Sequence, residues 1–154
     1  MIKINVLLNN SRWKDRLKNP QMYLEKKIKR LNLNNRLYKK KIIFFTLLLS
    51  GNNEIKKLNR KFRRKNKTTD VLSFPFYDKN DLKKKLKKNK EIYIGDIVVN
   101  FNKVKFDKDN KNFELEFNKL WIHGLVHLFG YDHKKDKDFN NMIRVEKKFL
   151  SYLY

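Results

Sequence analysis

Cysteine is absent from this 154-residue chain, and so is alanine. The first absence excludes disulfides and thiolate metal sites, so any bound metal must rely on nitrogen and oxygen donors. Proline occurs twice and glycine four times, too rarely for a flexible or proline-rich linker. No internal repeat divides the sequence. A single domain over residues 1–154 is therefore expected, long enough to bury a substantial core. Long apolar runs are missing as well. The longest, Ile42 to Leu49, contains Thr46 and is far shorter than a membrane span. No membrane association is expected, and the first residues lack the basic-then-apolar pattern of a secretory signal. A cytoplasmic protein is the simplest expectation.

Carboxylates are scarce. Sixteen acidic residues face 39 lysines and arginines, giving a formal net charge of +23. Lysine outnumbers arginine 31 to 8, and asparagine, isoleucine and phenylalanine are abundant, as an A+T-rich genome would encode. Codon bias of that kind does not strip aspartate and glutamate selectively. The sign imbalance thus points to a polyanionic partner, nucleic acid above all, held with strong salt dependence.

What is present alternates between two periods. Ile2 to Leu8 reads as a strand from its β-branched, partly alternating residues. Pro20 can occupy the first turn of a helix that carries Leu24, Ile28 and Leu31 at helical spacing. Ile42 to Leu49 reads as a strand buried on both faces. Ser50 to Asn53 offers a turn and an N-cap to a helix bearing Ile55, Leu58, Asn59 and Phe62, ending near Arg63. Asp70 to Phe76 is strand-like, and Pro75 confines it to an edge or a bulge. Glu91 to Asn100 is the last strand, with Gly95 at a bulge or close approach. A helix follows from about Asn110 to Phe129, with Phe113, Phe117, Leu120, Gly124 and Leu128 on one stripe. A final helix from about Asp138 presents Phe139, Met142, Val145, Phe149 and Leu153. The lysine-rich run Asp81 to Lys90 reads as a solvated loop or short helix, or as a phosphate-contacting patch. Strands mixed with unequal helices indicate an α+β class: a small mixed sheet packed with helices.

All three histidines, His123, His127 and His133, fall within eleven residues. The first two lie one turn apart on one helical face, and Gly130 can end that helix in a left-handed cap that turns His133 back towards them. Three imidazoles without cysteine make an open site, the catalytic form of zinc coordination. A metal held this way can activate water towards an ester or amide near neutral pH. The spacing matches the H-E-x-x-H-x-x-G-x-x-H pattern of metzincin proteases, with a metzincin-like metal-binding helix implied. Where those proteases carry their glutamate base, this chain has Gly124, so peptide hydrolysis lacks its usual proton carrier.

The run His123-Gly-Leu-Val-His127-Leu-Phe-Gly130-Tyr-Asp132-His133 resembles the H-G-x-x-H-L-x-G-[YH]-D-H signature of the bacterial YbeY endoribonucleases. Three further segments agree with that family in order: Leu58-Asn59-Arg60-Lys-Phe62-Arg63, Thr69-Asp70-Val-Leu-Ser73-Phe74-Pro75, and Gly95-Asp96-Ile-Val. The resemblance runs from about Ile42 to the C-terminal helix. It implies a metal-dependent, single-strand-specific endoribonuclease acting in ribosomal RNA maturation, at the 3′ end of the small-subunit RNA, and in ribosome quality control. The implied partners are single-stranded ribosomal RNA and the ribosome or its small subunit. The implied ligands of one zinc ion (Zn2+) are His123, His127 and His133, and Arg63 is the implied catalytic residue. A guanidinium stabilises charge on a phosphodiester through paired hydrogen bonds, although beside Arg60 and Arg64 composition alone reads Arg63 as surface charge.

Asp70, Asp96 and Asp132 are candidate partners for the ligand imidazoles, with turn and cap roles equally open. Ser73 reads as structural, because no histidine remains to activate it. Two alternatives stand beside the endoribonuclease. A metal-dependent protease or amidase is favoured by the histidine spacing and opposed by Gly124. A non-catalytic ribosome assembly factor with a structural metal requires a fourth protein ligand.

Overall fold

Alternating strand and helix periods become an α+β arrangement in the computed structural model, which describes residues 1–35, 40–105 and 110–154. Strand β1 (Ile2–Leu8) leads through two helices, α1 (Trp13–Leu17) and α2 (Pro20–Asn34), into β2 (Ile42–Ser50). Helix α3 (Asn52–Arg63) connects to β3 (Val71–Pro75), and α4 (Lys79–Lys88) connects to β4 (Glu91–Asn100). Two helices, α5 (Asn110–Leu128) and α6 (Asp136–Ser151), complete the chain. The sheet order is β1-β2-β4-β3, parallel except for β3, which runs antiparallel along one edge. Pro75, at the end of that edge strand, costs the ladder no central hydrogen bond.

Local chemistry sets the ends. Asn19 accepts a hydrogen bond from the Met22 N–H ahead of Pro20, and Asp78 accepts from Asn80 and Asp81 at the start of α4. The lysine-rich run is therefore a helix, anchored by buried Leu82. The N-cap expected from Ser50 to Asn53 differs in detail. Gly51 holds that position without a side-chain acceptor, while the Ser50 hydroxyl donates to the Val99 carbonyl.

Two layers flank the sheet. On one side, Ile43, Phe45, Leu47 and Leu49 of β2 join α1, α2 and α5 in the main core, and α6 packs against α5 from outside. On the other, α3 covers Leu72 and Val98 with Ile55. Strand β2 is consequently buried on one face and only half-buried on the other, less than its unbroken apolar run predicts, because α3 shields part of that second face. Helix α5, wedged between sheet and α6, buries Trp121, Ile122, Leu125 and Val126 beyond the expected stripe. Helix α1 was too short to register as a pattern. Its Trp13 is fully buried and donates Nε1–H to the Ser50 carbonyl at 3.0 Å.

Gly95 inverts β4. Phe44 pairs with Tyr93 but Thr46 with Asp96, so Ile94 and Gly95 together face Phe45 across a β-bulge. Core-facing residues are Ile92 and Ile94 before the bulge, and Ile97 and Val99 after it. Tyr93 and Asp96 thereby reach the same outer face, where the Tyr93 hydroxyl donates to the Asp96 carboxylate. Only glycine fits: its φ is +135° and an added Cβ would lie 2.2 Å from the Phe74 carbonyl oxygen. Gly95→Ala should lower unfolding stability by about 2–4 kcal/mol, measured as a reduced urea midpoint with unchanged slope.

Candidate metal centre

The site begins where α5 meets the sheet. Gly124 lets the helix settle so closely that an added Cβ would stand 2.7 Å from Ile97 Cγ2 and 3.1 Å from the Ser73 hydroxyl. His123 turns towards Glu146 of α6, and His127 lines a cleft shared with Ser73 and Pro75 of β3. The helix then closes in a Schellman motif: the Gly130 N–H donates to the His127 carbonyl and the Tyr131 N–H to the Val126 carbonyl. Gly130 takes φ +83°, reversing the chain so that His133 returns to the other two. One imidazole nitrogen from each of the three histidines lies within 4.8 Å of the others.

Hydrogen bonds on the far side of two rings decide which nitrogens face inward. The His127 Nδ1–H donates to the Tyr131 carbonyl at 2.9 Å, and the His123 Nδ1–H donates to the Glu146 carboxylate at 2.6 Å. Both Nε2 atoms then carry lone pairs, and they face each other 3.1 Å apart. Lone pairs so close repel unless a cation lies between them. Nitrogen ligands about 2.0–2.1 Å from a tetrahedral ion sit about 3.3 Å apart, so the His123–His127 pair is spaced for a metal of zinc's size. Burial, and then the neighbouring His123, pull the His127 pKa below its ordinary value. That favours the neutral form, the one able to coordinate. Among the described residues the cluster holds three donors and no fourth.

Arg63 reaches the same place from α3. The helix ends in a left-handed Arg64, and buried Asn59 donates to the Lys67 carbonyl, pinning the loop that follows. Arg63 then donates through one terminal nitrogen to the Ser73 carbonyl on the free edge of β3 at 3.1 Å. It borders a cleft of about 480 Å³ that also takes in His127, His133, Tyr77, Lys79 and Lys134.

This constellation has close counterparts. The family model described as Endoribonuclease YbeY matches residues 8–154. The chain belongs to the YbeY family. An endoribonuclease YbeY from Pelagibacter ubique is 40% identical over 158 residues, covering 99% of this chain and 97% of that protein. One from Buchnera aphidicola is also 40% identical, over 114 residues that cover 73% of this chain and 69% of the relative. The solution structure of TM1509 from Thermotoga maritima superposes with a TM-score of 0.57 at 28% identity, covering 99% of this chain and 89% of that one.

Not every residue singled out in the sequence lies at this YbeY-family centre. Asp132 accepts the His133 backbone N–H and pairs with Lys134, so it shapes the turn and does not hold an imidazole. Asp70 accepts from the Val71 N–H at the start of β3, and Asp96 from Tyr93 on the far face. The carboxylate that does hold a histidine is Glu146, which sequence reasoning missed. Its signal was there: Glu146 stands four residues after buried Met142 and three before buried Phe149, on the apolar stripe of α6. Ser73 is buried beside Gly124, and its carbonyl accepts from Arg63. Gly124 also changes meaning, because any side chain there would strike the sheet before reaching substrate. Gly124→Ala should cost about 1–3 kcal/mol despite alanine's better helix propensity, detectable by thermal unfolding of the metal-free protein.

Proposed function

We propose that residues 1–154 form one metal-dependent endoribonuclease domain that cuts single-stranded ribosomal RNA. The observation that carries this reading is a cluster of three imidazoles, two of which, His127 and His133, line one cleft together with Arg63. His123, His127 and His133 hold the metal, with zinc favoured by the all-nitrogen donor set and by three ligands rather than four. The metal, when bound, would supply Lewis-acid polarisation of the scissile phosphate or activation of the attacking water or RNA 2′-hydroxyl.

The remaining chemistry belongs to the chain. Glu146 and the Tyr131 carbonyl fix the tautomers and orientations of His123 and His127. Arg63 is catalytic in this reading: one nitrogen is anchored on Ser73 at the edge of the cleft, and its remaining N–H groups would stabilise the charge that grows on a phosphate during cleavage. Lys79 and Lys134 line the cleft and attract the RNA backbone. The Endoribonuclease YbeY name shared by the relatives supports RNA as substrate. Processing of the small-subunit 3′ end, ribosome quality control, ribosome contact and a cytosolic setting complete the reading. No described helix is long and apolar enough to cross a membrane. Proteolysis is disfavoured by Gly124, and a closed structural metal by the three-donor cluster.

Elemental analysis of the purified protein, paired with RNA cleavage with and without chelator, tests the reading. One equivalent of metal is expected, with cleavage lost on chelation and restored by zinc; cleavage indifferent to chelation would overturn it. His123→Ala should lose metal and activity together while remaining folded. Arg63→Ala should keep its metal but lose about 100- to 1000-fold in kcat.

A further inference from the structure

The face of the sheet turned away from α5 is only partly covered. Helix α3 shields the end bearing Leu72 and Val98. The other end carries a transverse row of aromatic rings. Phe44 on β2 is the register partner of Tyr93 on β4, and Phe76, just beyond β3, sits 6.1 Å from the Tyr93 ring. Phe76 in turn stands 5.0 Å from Tyr77, which lines the cleft holding the histidines. Phe76 is 66% exposed and Tyr93 36%, far more than packing alone requires of rings this large.

Lysines interleave with the row. Lys3 lies 5.6 Å from the Phe44 ring centroid and Lys85 5.9 Å from that of Tyr77. Two carboxylates share the face: Asp96, occupied by the Tyr93 hydroxyl, and Glu91 at the start of β4. The Tyr93 hydroxyl also lies 3.1 Å from that of Thr46, so the ring is held in place on the sheet. An exposed apolar patch often marks a protein interface. Here the net charge of +23 opposes pairing with a second copy and complements a polyanion.

We propose that the row Phe44–Tyr93–Phe76 is a stacking platform for unpaired bases, continuing the cleft through Tyr77 and lengthening the stretch of single-stranded RNA held beside the scissile bond. Every base offers a π-face, so such a platform reads strandedness rather than sequence, while the lysines take the phosphates. Bases in a duplex are hidden in their stack and gain nothing from it. The proposal rests on the endoribonuclease reading, and it supplies a physical basis for single-strand preference.

The test uses the full-length protein and fluorescein-labelled oligothymidylate of about 12 nucleotides, which a ribonuclease leaves intact and whose bases are free to stack. Phe76→Ala should weaken binding about tenfold, whereas Phe76→Trp and Tyr93→Phe should bind like the parent. The slope of log affinity against log salt should stay the same in Phe76→Ala, because no phosphate contact is removed. A tetranucleotide, short enough for the cleft alone, should bind both proteins equally. The proposal fails if Phe76→Ala and Tyr93→Ala, both folded by circular dichroism, bind the longer probe as tightly as the parent does. It fails equally if they change only self-association in light scattering. Cleavage of single-stranded RNA by the parent is read in parallel. Its absence would overturn the endoribonuclease reading, while the affinity arms judge the platform separately.

Discussion

The approach of α5 to the sheet governs the rest of the site. A helix carrying a side chain at position 124 could not lie against Ile97 and Ser73 at this distance. Lifted by even an ångström, it would carry the histidines away from Arg63 on the β3 edge. Packed interiors do not absorb such shifts smoothly. A glycine inside the helix that carries His123 and His127 costs about 1 kcal/mol in propensity and secures the seating on which the cleft's dimensions rest.

Much of this was legible from spacing. The strands, the long helices, the edge character enforced by Pro75 and the bulge at Gly95 all follow from periodicity and from two residues with unusual backbones. The histidine cluster was equally plain, since an i, i+4 pair followed by a glycine turn has few geometric solutions. Trp13 to Leu17 escaped notice because five residues cannot display a helical period; its tryptophan is buried by partners far away in sequence. Gly124 was readable only as a missing glutamate, because close approach is a property of two elements and a sequence displays one.

Glu146 is the instructive omission. A carboxylate on an apolar stripe is costly unless it is paired, so its position between Met142 and Phe149 already announced a buried partner. Naming that partner required the packing of α6 on α5, which no local pattern encodes. Asp132, adjacent to His133 in sequence, serves the backbone of the turn. The sequence left Asp132 open between an imidazole partner and a turn residue, whereas the structure gives the first role to a residue 23 positions away from His123.

That separation couples two processes. Helix α6 supplies the carboxylate that holds the His123 tautomer, and a cation among the imidazoles draws on the same tautomer. Docking of α6 and occupancy of the triad are therefore thermodynamically linked, each strengthening the other by the same factor. Without α6 docked, the His123 Nδ1–H loses its carboxylate acceptor. The triad is therefore fully oriented only when α6 is packed on α5, the last two elements of the chain.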